Sequence, residues 1–451
     1  MELTFLGATE TVTGSKYLIK INGNKILVDC GLFQGQKELR LRNWASLPIN
    51  PANIDAVLIT HAHIDHTGYL PLLVKNGFKG PIYATQGTFD LCSILLPDSG
   101  YLQEEDAKRA NRYHYSKHHP ALPLYTKKDA EMALKQFRTV AFGKPYHILP
   151  ESNVIWHRAG HILGASFIHI HTPTTKLLFT GDMGRETDPI MKPPAIIQET
   201  DYLVIESTYG DRLHDRGDPT VKIAKIINET IKHGGSVLIP AFAIGRAQHL
   251  LYCLYQLRTT KKIPNIPIYL DSPMAIDATE LLSKYTQEHR LTPKECAASC
   301  NIAIYTRTIE ESKAIYENSM PKIIISASGM MEGGRVLHHV KILAPDFRNT
   351  ILLTGFQAAG TRGAALIKGE RDIKVHGEMF HVRAHIEDLT MLSAHADYKD
   401  ILSWLKNFTR PPRKVFITHG EPQGALSLKY HIESQLGWDC YIPHYLDKAI
   451  L

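Results

Sequence analysis

His61-Ala-His63-Ile-Asp65-His66 follows directly on the apolar run Ala56-Val-Leu-Ile-Thr60. Three imidazoles and a carboxylate thus crowd the end of a segment that reads as a buried strand. Open α/β sheets place their chemistry at the carboxyl ends of strands, and a strand ending at Thr60 delivers the cluster there. So short a stretch cannot wrap all four donors around one ion without strain. The set divides instead, His61 and His63 toward one metal and Asp65 and His66 toward its neighbour, which predicts a two-metal hydrolytic centre. The competing reading is a polar turn in a chain with 24 histidines. Polar groups this crowded behind a buried strand need compensation for their desolvation, and metal supplies it.

At 451 residues the chain exceeds what one hydrophobic core usually serves, so two domains are expected. The formal charge of +6 permits a polyanionic partner without requiring one. Cys30, Cys92, Cys253, Cys296, Cys300 and Cys440 are sparse and irregularly spaced, which gives neither a disulfide framework nor a zinc ribbon. Cys296 and Cys300 can share one helix face. Met1-Glu-Leu-Thr-Phe-Leu-Gly7 reads as a first strand rather than a leader, and no apolar stretch has membrane-spanning length. A soluble, cytoplasmic protein with no membrane association is the expectation.

Strand-like segments continue at Lys25–Asp29, Pro81–Ala84, Val154–Trp156, Ser166–Ile170, Lys176–Thr180 and Tyr202–Ile205. Helices are expected at Leu70–Asn76, Gln86–Leu96, Glu104–Arg112 and Thr126–Phe137. Between the last two, Tyr113-His-Tyr-Ser-Lys-His-His119 is basic and aromatic, an exposed excursion or simply a solvated face. Beyond Glu206 the texture changes. Helical patterns at Val221–His233, Gly245–Leu257 and Ile276–Tyr285 alternate with apolar strands at Ser236–Pro240, Ile268–Leu270, Lys322–Ser326 and Thr350–Thr354. That alternation predicts a second, parallel α/β sheet. A last unit holds a helix at Tyr398–Asn407, the strand Lys414–Thr418 and a helix at Gly424–Leu436.

Several further residues share the strand-end, glycine-flanked placement of the first cluster. His161 lies in Ala159-Gly-His-Ile-Leu-Gly-Ala165, Asp182 in Phe179-Thr-Gly-Asp-Met-Gly184, and His419 just before Gly420-Glu421. One carboxylate can offer an oxygen to each of two ions, so Asp182 is a candidate bridge. Histidine and aspartate donors favour zinc or manganese over calcium. Asp29 either accepts a proton from the free ring nitrogen of a ligand or caps the turn at Gly31. Glu206 ends a strand, His395 lies in Ser393-Ala-His-Ala-Asp397, and Asp397 either orients an imidazole or opens the next helix. The loop Ile325-Ser-Ala-Ser-Gly-Met-Met-Glu-Gly-Gly334 offers the hydroxyls of Ser326 and Ser328 and open backbone at Gly329, which suit phosphate oxygens. It lacks the ending of a P-loop. Gly355–Gly363 is a second glycine-rich loop. Arg246, Arg335 and Arg362 are candidate phosphate contacts, with solvated arginines as the alternative.

Taken together, these motifs resemble a known superfamily. His61-Ala-His63-Ile-Asp65-His66 is similar to the signature of metallo-β-lactamase-fold hydrolases. The insertion after Glu206, with Ser393-Ala-His395-Ala-Asp397 and Thr418-His419-Gly420-Glu421, resembles the β-CASP nucleases, in particular the RNA-processing branch related to the cleavage and polyadenylation endonuclease. The resemblance implies an αββα metallo-β-lactamase fold with an inserted β-CASP α/β cap domain. Its parts would be a metallo-domain over residues 1–208 and 389–451 and a cap over 209–388, leaving a cleft for single-stranded RNA. It implies two Zn2+ per chain, with Mn2+ as the substitute. His61, His63 and His161 would hold one ion, Asp65, His66 and His419 the other, and Asp182 would bridge them. Asp29 would support the ligands, and Glu206 would pair with His395 as proton donor. The segments Pro240–Arg246, Asp271–Met274, Ser326–Gly334 and Gly355–Gly363 would hold phosphates. DNA-repair members typically lack histidine at the position of His419, which favours RNA. Homodimerisation around Trp438–Tyr445 is a further implication, internal packing of those aromatics being the alternative. A small-molecule ester or phosphoester hydrolase and a nucleic-acid-binding scaffold subunit are the rival functions.

Overall fold

The computed structural model describes residues 1–114, 116–355, 357–358 and 360–451. Tyr115 of the basic aromatic stretch, and Phe356 and Ala359 of the second glycine-rich loop, lie outside the described residues. The chain forms two compact units, residues 1–213 with 395–451, and residues 214–394. These divisions fall somewhat later than the expected 208/209 and 388/389. Tyr209 pairs with Asp397 through an isolated bridge, which holds residues 209–213 to the first unit. Leu389 closes the strand His385–Leu389 against Thr350–Thr354, which keeps the segment up to Ala394 with the second.

The first unit is built on two seven-stranded sheets. In one, Asn24–Val28, Ala56–Leu58, Ile82–Thr85 and Phe137–Val140 run parallel in that order. Glu2–Phe5 and Tyr17–Ile21 extend it antiparallel, and Lys448–Ile450 adds the edge beside Glu2–Phe5. The other centres on Ser166–His171, Lys176–Phe179, Tyr202–Glu206 and Lys414–Thr418. Alternate residues of the two sheets, including Leu3, Phe5, Ile26, Trp156, Ile168, Phe179 and Phe416, meet in one buried cluster. Trp156, the largest fully buried side chain, donates its indole N–H to the Ile59 carbonyl at 3.2 Å. Ser166 adds its backbone N–H and hydroxyl to the Thr60 carbonyl, each at 2.8 Å. The core thereby fixes the end of Ala56–Leu58 just ahead of His61.

Two sequence expectations need correction here. Gln86–Tyr113 is one helix of 28 residues with Pro97 inside it, not two helices. A mid-helix proline costs about 3 kcal/mol. The stripe Leu91, Cys92, Leu95, Leu96 and Gly100 is buried on both sides of it, and each large apolar side chain returns about 1.5–3 kcal/mol. Packing therefore outweighs the break. The helix expected over Thr126–Phe137 stops at Leu134, because Phe137–Val140 joins the sheet beside Ile82–Thr85. Its start is the capping box of Thr126 and Asp129.

The second unit carries a six-stranded, all-parallel sheet in the spatial order Ile304–Tyr305, Ile268–Asp271, Ile323–Ser326, Val237–Pro240, Thr350–Thr354, His385–Leu389. Both faces are covered by apolar clusters, which explains the unbroken runs of Ile, Leu and Val in its strands. Pro240, Asp271 and Ser326 are in register, so the loops that follow them leave from one end of the sheet. No helix among the described residues is long and apolar enough to cross a membrane.

Lys16, 1% exposed, donates to the Gly31 carbonyl and lies 4.6 and 4.8 Å from the ring centres of Phe33 and Tyr69. Burial pushes its ammonium down to about 8. The folded state therefore disfavours this proton more than the unfolded state does, and stability rises with pH between about 8 and 10.5. Denaturant titrations across that window should show the wild-type protein gaining about 3 kcal/mol more than Lys16→Met. Identical pH slopes for the two proteins would refute the assignment.

Candidate metal centre

The backbone of the 61–66 turn is pinned before any side chain acts. Ser15 N–H donates to the Asp65 carbonyl at 2.8 Å, Cys30 N–H to that of His66 at 2.7 Å, and Leu32 N–H to that of Ile64 at 3.0 Å. Gly31 allows this approach: a Cβ there would lie 1.5 Å from the Asp65 carbonyl oxygen. Gly181 does the same for Asp182. Its φ is +50°, and a Cβ would meet the Thr60 side chain at 2.6 Å.

The structure groups His61, His63, His161 and Asp182 as one donor set and Asp65, His66 and His419 as another, and Asp182 also groups with Glu206 and His419. In the first, His63 Nδ1 lies 3.1 Å from His61 Nε2 and 3.3 Å from His161 Nε2. Asp182 Oδ2 is 3.3 Å from His61 Nε2 and 3.5 Å from His161 Nε2. In the second, His66 Nε2 is 3.1 Å from His419 Nε2, and Asp65 Oδ2 lies 3.3 Å from His419 and 3.8 Å from His66. The other oxygen of Asp182 reaches this set, 3.2 Å from His66 Nε2. Donors of a tetrahedral zinc site with bonds of about 2.05 Å stand about 3.3 Å apart. Apart from the 3.8 Å edge between Asp65 and His66, these edges match that spacing, and Asp182 Oδ1 is buried with no hydrogen-bond partner. The residues fit a pair of ions, one in each set, sharing Asp182.

Neighbouring groups orient the rings. Asp29 accepts from His66 Nδ1 at 2.7 Å, which leaves Nε2 bare for a metal. The same carboxylate accepts from Thr60, at 2.8 Å from both its N–H and its hydroxyl. Thr60 Oγ1 also lies 3.1 Å from His61 Nδ1, and Thr208 Oγ1 lies 3.2 Å from His419 Nδ1. Neither threonine is apparent from the sequence motifs. Thr60 had one signal, its place between a strand and the histidine cluster.

Burial and nearby imidazoles drive His61 down to about 3 and hold His161 well below the ordinary range, so both are neutral donors. His66 goes the other way. Burial opposes its proton, but Asp182, Asp29 and Asp65 outweigh that and raise it well above its usual value. Asp65 and Asp182 resist the upward push of burial through the histidines around them and stay ionised. Protons and cations therefore compete for one cage.

Glu206 and His395 stand beside the first set. His395 Nδ1 lies 3.0 Å from Glu206 Oε2, and its ring centre is 4.5 Å from that of His161. Glu206 is fixed by the Met183 N–H at 2.5 Å. Burial pushes the His395 imidazole down, yet Glu206 and Asp182 outweigh it and carry it up to about 9. Asp397 accepts from Asp400 N–H at 2.9 Å and caps the helix Tyr398–Leu405, the second of its two expected roles.

The residues expected to meet phosphate belong to the second unit, where each has partners within the chain. Ser326 is buried and donates to the Asp271 carbonyl at 2.9 Å, so its hydroxyl points inward. Ser328 Oγ accepts from Glu332 N–H at 3.1 Å and Gly333 N–H at 3.3 Å, closing its own loop. Gly329 abuts Phe242, whose backbone nitrogen would be 2.8 Å from a Cβ. Arg335 donates to Asp271 and to the Arg307 carbonyl, each at 2.6 Å. Arg362 donates to the carbonyls of Lys374 and Met331, and Arg246 to that of Leu392. These side chains brace the loops.

Three stretches of the chain match described families. Residues 11–90 match the metallo-beta-lactamase superfamily, 247–366 the Beta-Casp domain, and 379–443 a Zn-dependent metallo-hydrolase RNA specificity domain. The chain is 35% identical over 436 residues to a ribonuclease of Thermus thermophilus, covering 95% of each protein. It is 31% identical over 477 residues to the transcription termination factor FttA of Pyrococcus abyssi, covering 100% of this chain and 71% of that protein. Its fold is similar to that of a protein of unknown function from Enterococcus faecalis V583, with a TM-score of 0.55 at 13% identity over 100% of this chain and 99% of that one.

Replacing Asp29 by Asn keeps the shape but removes the charge that holds the proton on His66. Metal affinity of one site should fall about 10- to 100-fold while the other is retained, as read by chelator competition and elemental analysis. Unchanged affinity at both sites would count against the assigned role.

Proposed function

The chain belongs to the β-CASP branch of the metallo-β-lactamase-fold RNA-processing nucleases and is a metal-dependent hydrolase, and on that footing we propose that it cuts single-stranded RNA internally. The products are 5′-phosphate and 3′-hydroxyl ends, and the same centre supports removal of nucleotides from a 5′ end. Two zinc ions per chain are the cofactor, with manganese as the substitute. The observation carrying this reading is the junction of two donor sets through Asp182, with His395 held beside it by Glu206. Within the family resemblance, His419 favours RNA over DNA.

When bound, the two ions supply charge that acidifies a water and offsets the charge gathering on the phosphoryl oxygens. The remaining work falls to side chains of this chain. Asp29 keeps the proton of His66 on Nδ1, and Asp182 holds the two sets at a fixed separation. Glu206 holds the Nδ1 proton of His395, so the opposite nitrogen carries the one that passes to the departing ribose oxygen. Glu206 holds the His395 imidazole in place beforehand, so proton delivery needs no reorganisation of that side chain.

Asp182→Ala should lose both metal and RNA cleavage. His395→Ala should retain its metal by elemental analysis while kcat falls about 10²- to 10⁴-fold. Normal turnover in that variant would remove the proton-donor role. End-labelled, 5′-blocked and circular RNAs, with matched DNA, separate internal from terminal cleavage. Cleavage of small phosphoesters without RNA cleavage would favour the small-molecule reading, and RNA binding by an inert, metal-free wild type would favour a scaffold.

A further inference from the structure

One basic and aromatic surface plays no part in the chemistry above. Residues 107–128 contain Lys108, Arg109, Arg112, Lys117, Lys127 and Lys128 and no Asp or Glu. Those six charges match the formal excess of the entire chain, +6. Lys108 pairs with Glu105 at 2.8 Å, but among the described residues no carboxylate pairs with Arg112, Lys117, Lys127 or Lys128. All four are exposed. Tyr113 is 64% exposed, with the Arg112 guanidinium 5.5 Å from its ring centre. A solvated face accounts for charges, yet not for an aromatic ring held out among them. Unneutralised cations interleaved with a stackable ring suit single-stranded nucleic acid.

The surface sits on an ordered base. Asn111 binds the returning segment at Ala121 through both its amide atoms, at 3.0 and 2.7 Å. Buried Tyr125 shares a 2.8 Å hydrogen bond with Ser99. The long helix ties the surface back to the neighbourhood of the donor sets. The long helix begins where Thr85 and Thr88 donate to the Gly164 carbonyl, at 2.7 and 2.9 Å, three residues beyond His161. Its 28 residues then run about 40 Å to Tyr113.

We propose that this surface anchors single-stranded RNA about a dozen stacked nucleotides, at about 3.4 Å each, from the cleavage centre. The proposal rests on the nuclease reading and adds a length requirement to it: only RNA long enough to span helix and centre benefits.

The test uses the full chain with single-stranded RNAs of about eight and about thirty nucleotides. Binding is read by fluorescence anisotropy in the Asp182→Ala background, where RNA is not cut, and KM and kcat are read in the active protein. The combined variant Arg112→Gln, Lys117→Gln, Lys127→Gln, Lys128→Gln should weaken long-RNA binding and raise its KM about tenfold or more, with kcat and short-RNA KM unchanged. The slope of log affinity against log salt should flatten by about 3. Tyr113→Ala should cost about fivefold on long RNA and leave the salt slope intact. Unchanged long-RNA affinity and slope, or equal losses on both lengths, would overturn the anchor. Competition by polyglutamate as effective as that by RNA would assign the surface to an acidic protein instead and overturn it too. Failure of the unmodified enzyme to cut any RNA would count against the nuclease reading, and the anisotropy series would still decide the anchor.

Discussion

One carboxylate governs the centre. Asp182 presents Oδ2 to one cluster of imidazoles and Oδ1 to another, at 3.2–3.5 Å. Removing it would take the shared carboxylate from both groups of desolvated donors, leaving buried imidazoles with less compensation. Its reach depends in turn on Gly181, because a larger residue would push the chain away from Thr60. The close approach of Gly31 to Asp65 plays the matching part on the other side. Two glycines and the buried indole of Trp156 thus set distances that the donors themselves cannot enforce.

This dependence explains which parts were legible in the sequence. The donors His61, His63, Asp65, His66, His161, Asp182 and His419 stand at strand ends among glycines, where buried imidazoles and carboxylates have few bland explanations. Thr208 and Lys16 carry no such mark, and Thr60 carries only its place at a strand end. They are ordinary residues whose importance comes from what the fold places beside them. Pro97 misled for a related reason. Local preference argues for a break, and only the buried stripe along the long helix argues against it. The strand His385–Leu389 and the hairpin Asp372–Val375 with Glu378–His381 went unread because charged residues dilute their alternation.

The second unit shows the limit of reading chemistry from residue type. Arg246, Arg335 and Arg362 stand at the starts of helices that follow loops from one end of a parallel sheet, a setting that suits anion recognition. Yet each guanidinium donates to main-chain carbonyls, and that of Arg335 also to buried Asp271, which accepts from His339 and Ser312 as well. Five donors in a rigid fork make arginine as useful for stapling loops as for holding phosphate. Sequence alone does not distinguish the two uses, because they call for the same residue beside the same glycines.

The last strand described, Lys448–Ile450, lies against the first, Glu2–Phe5, and His395 and His419 return to the first unit only after the whole second unit. This order has a consequence during synthesis. At about 5–20 residues per second, His419 follows His61 out of the ribosome by roughly 20–70 s. Until His419 emerges the nascent polypeptide lacks that imidazole, and for most of the interval it lacks His395 as well. The cluster around Asp182 can therefore close only after the whole second unit has been synthesised.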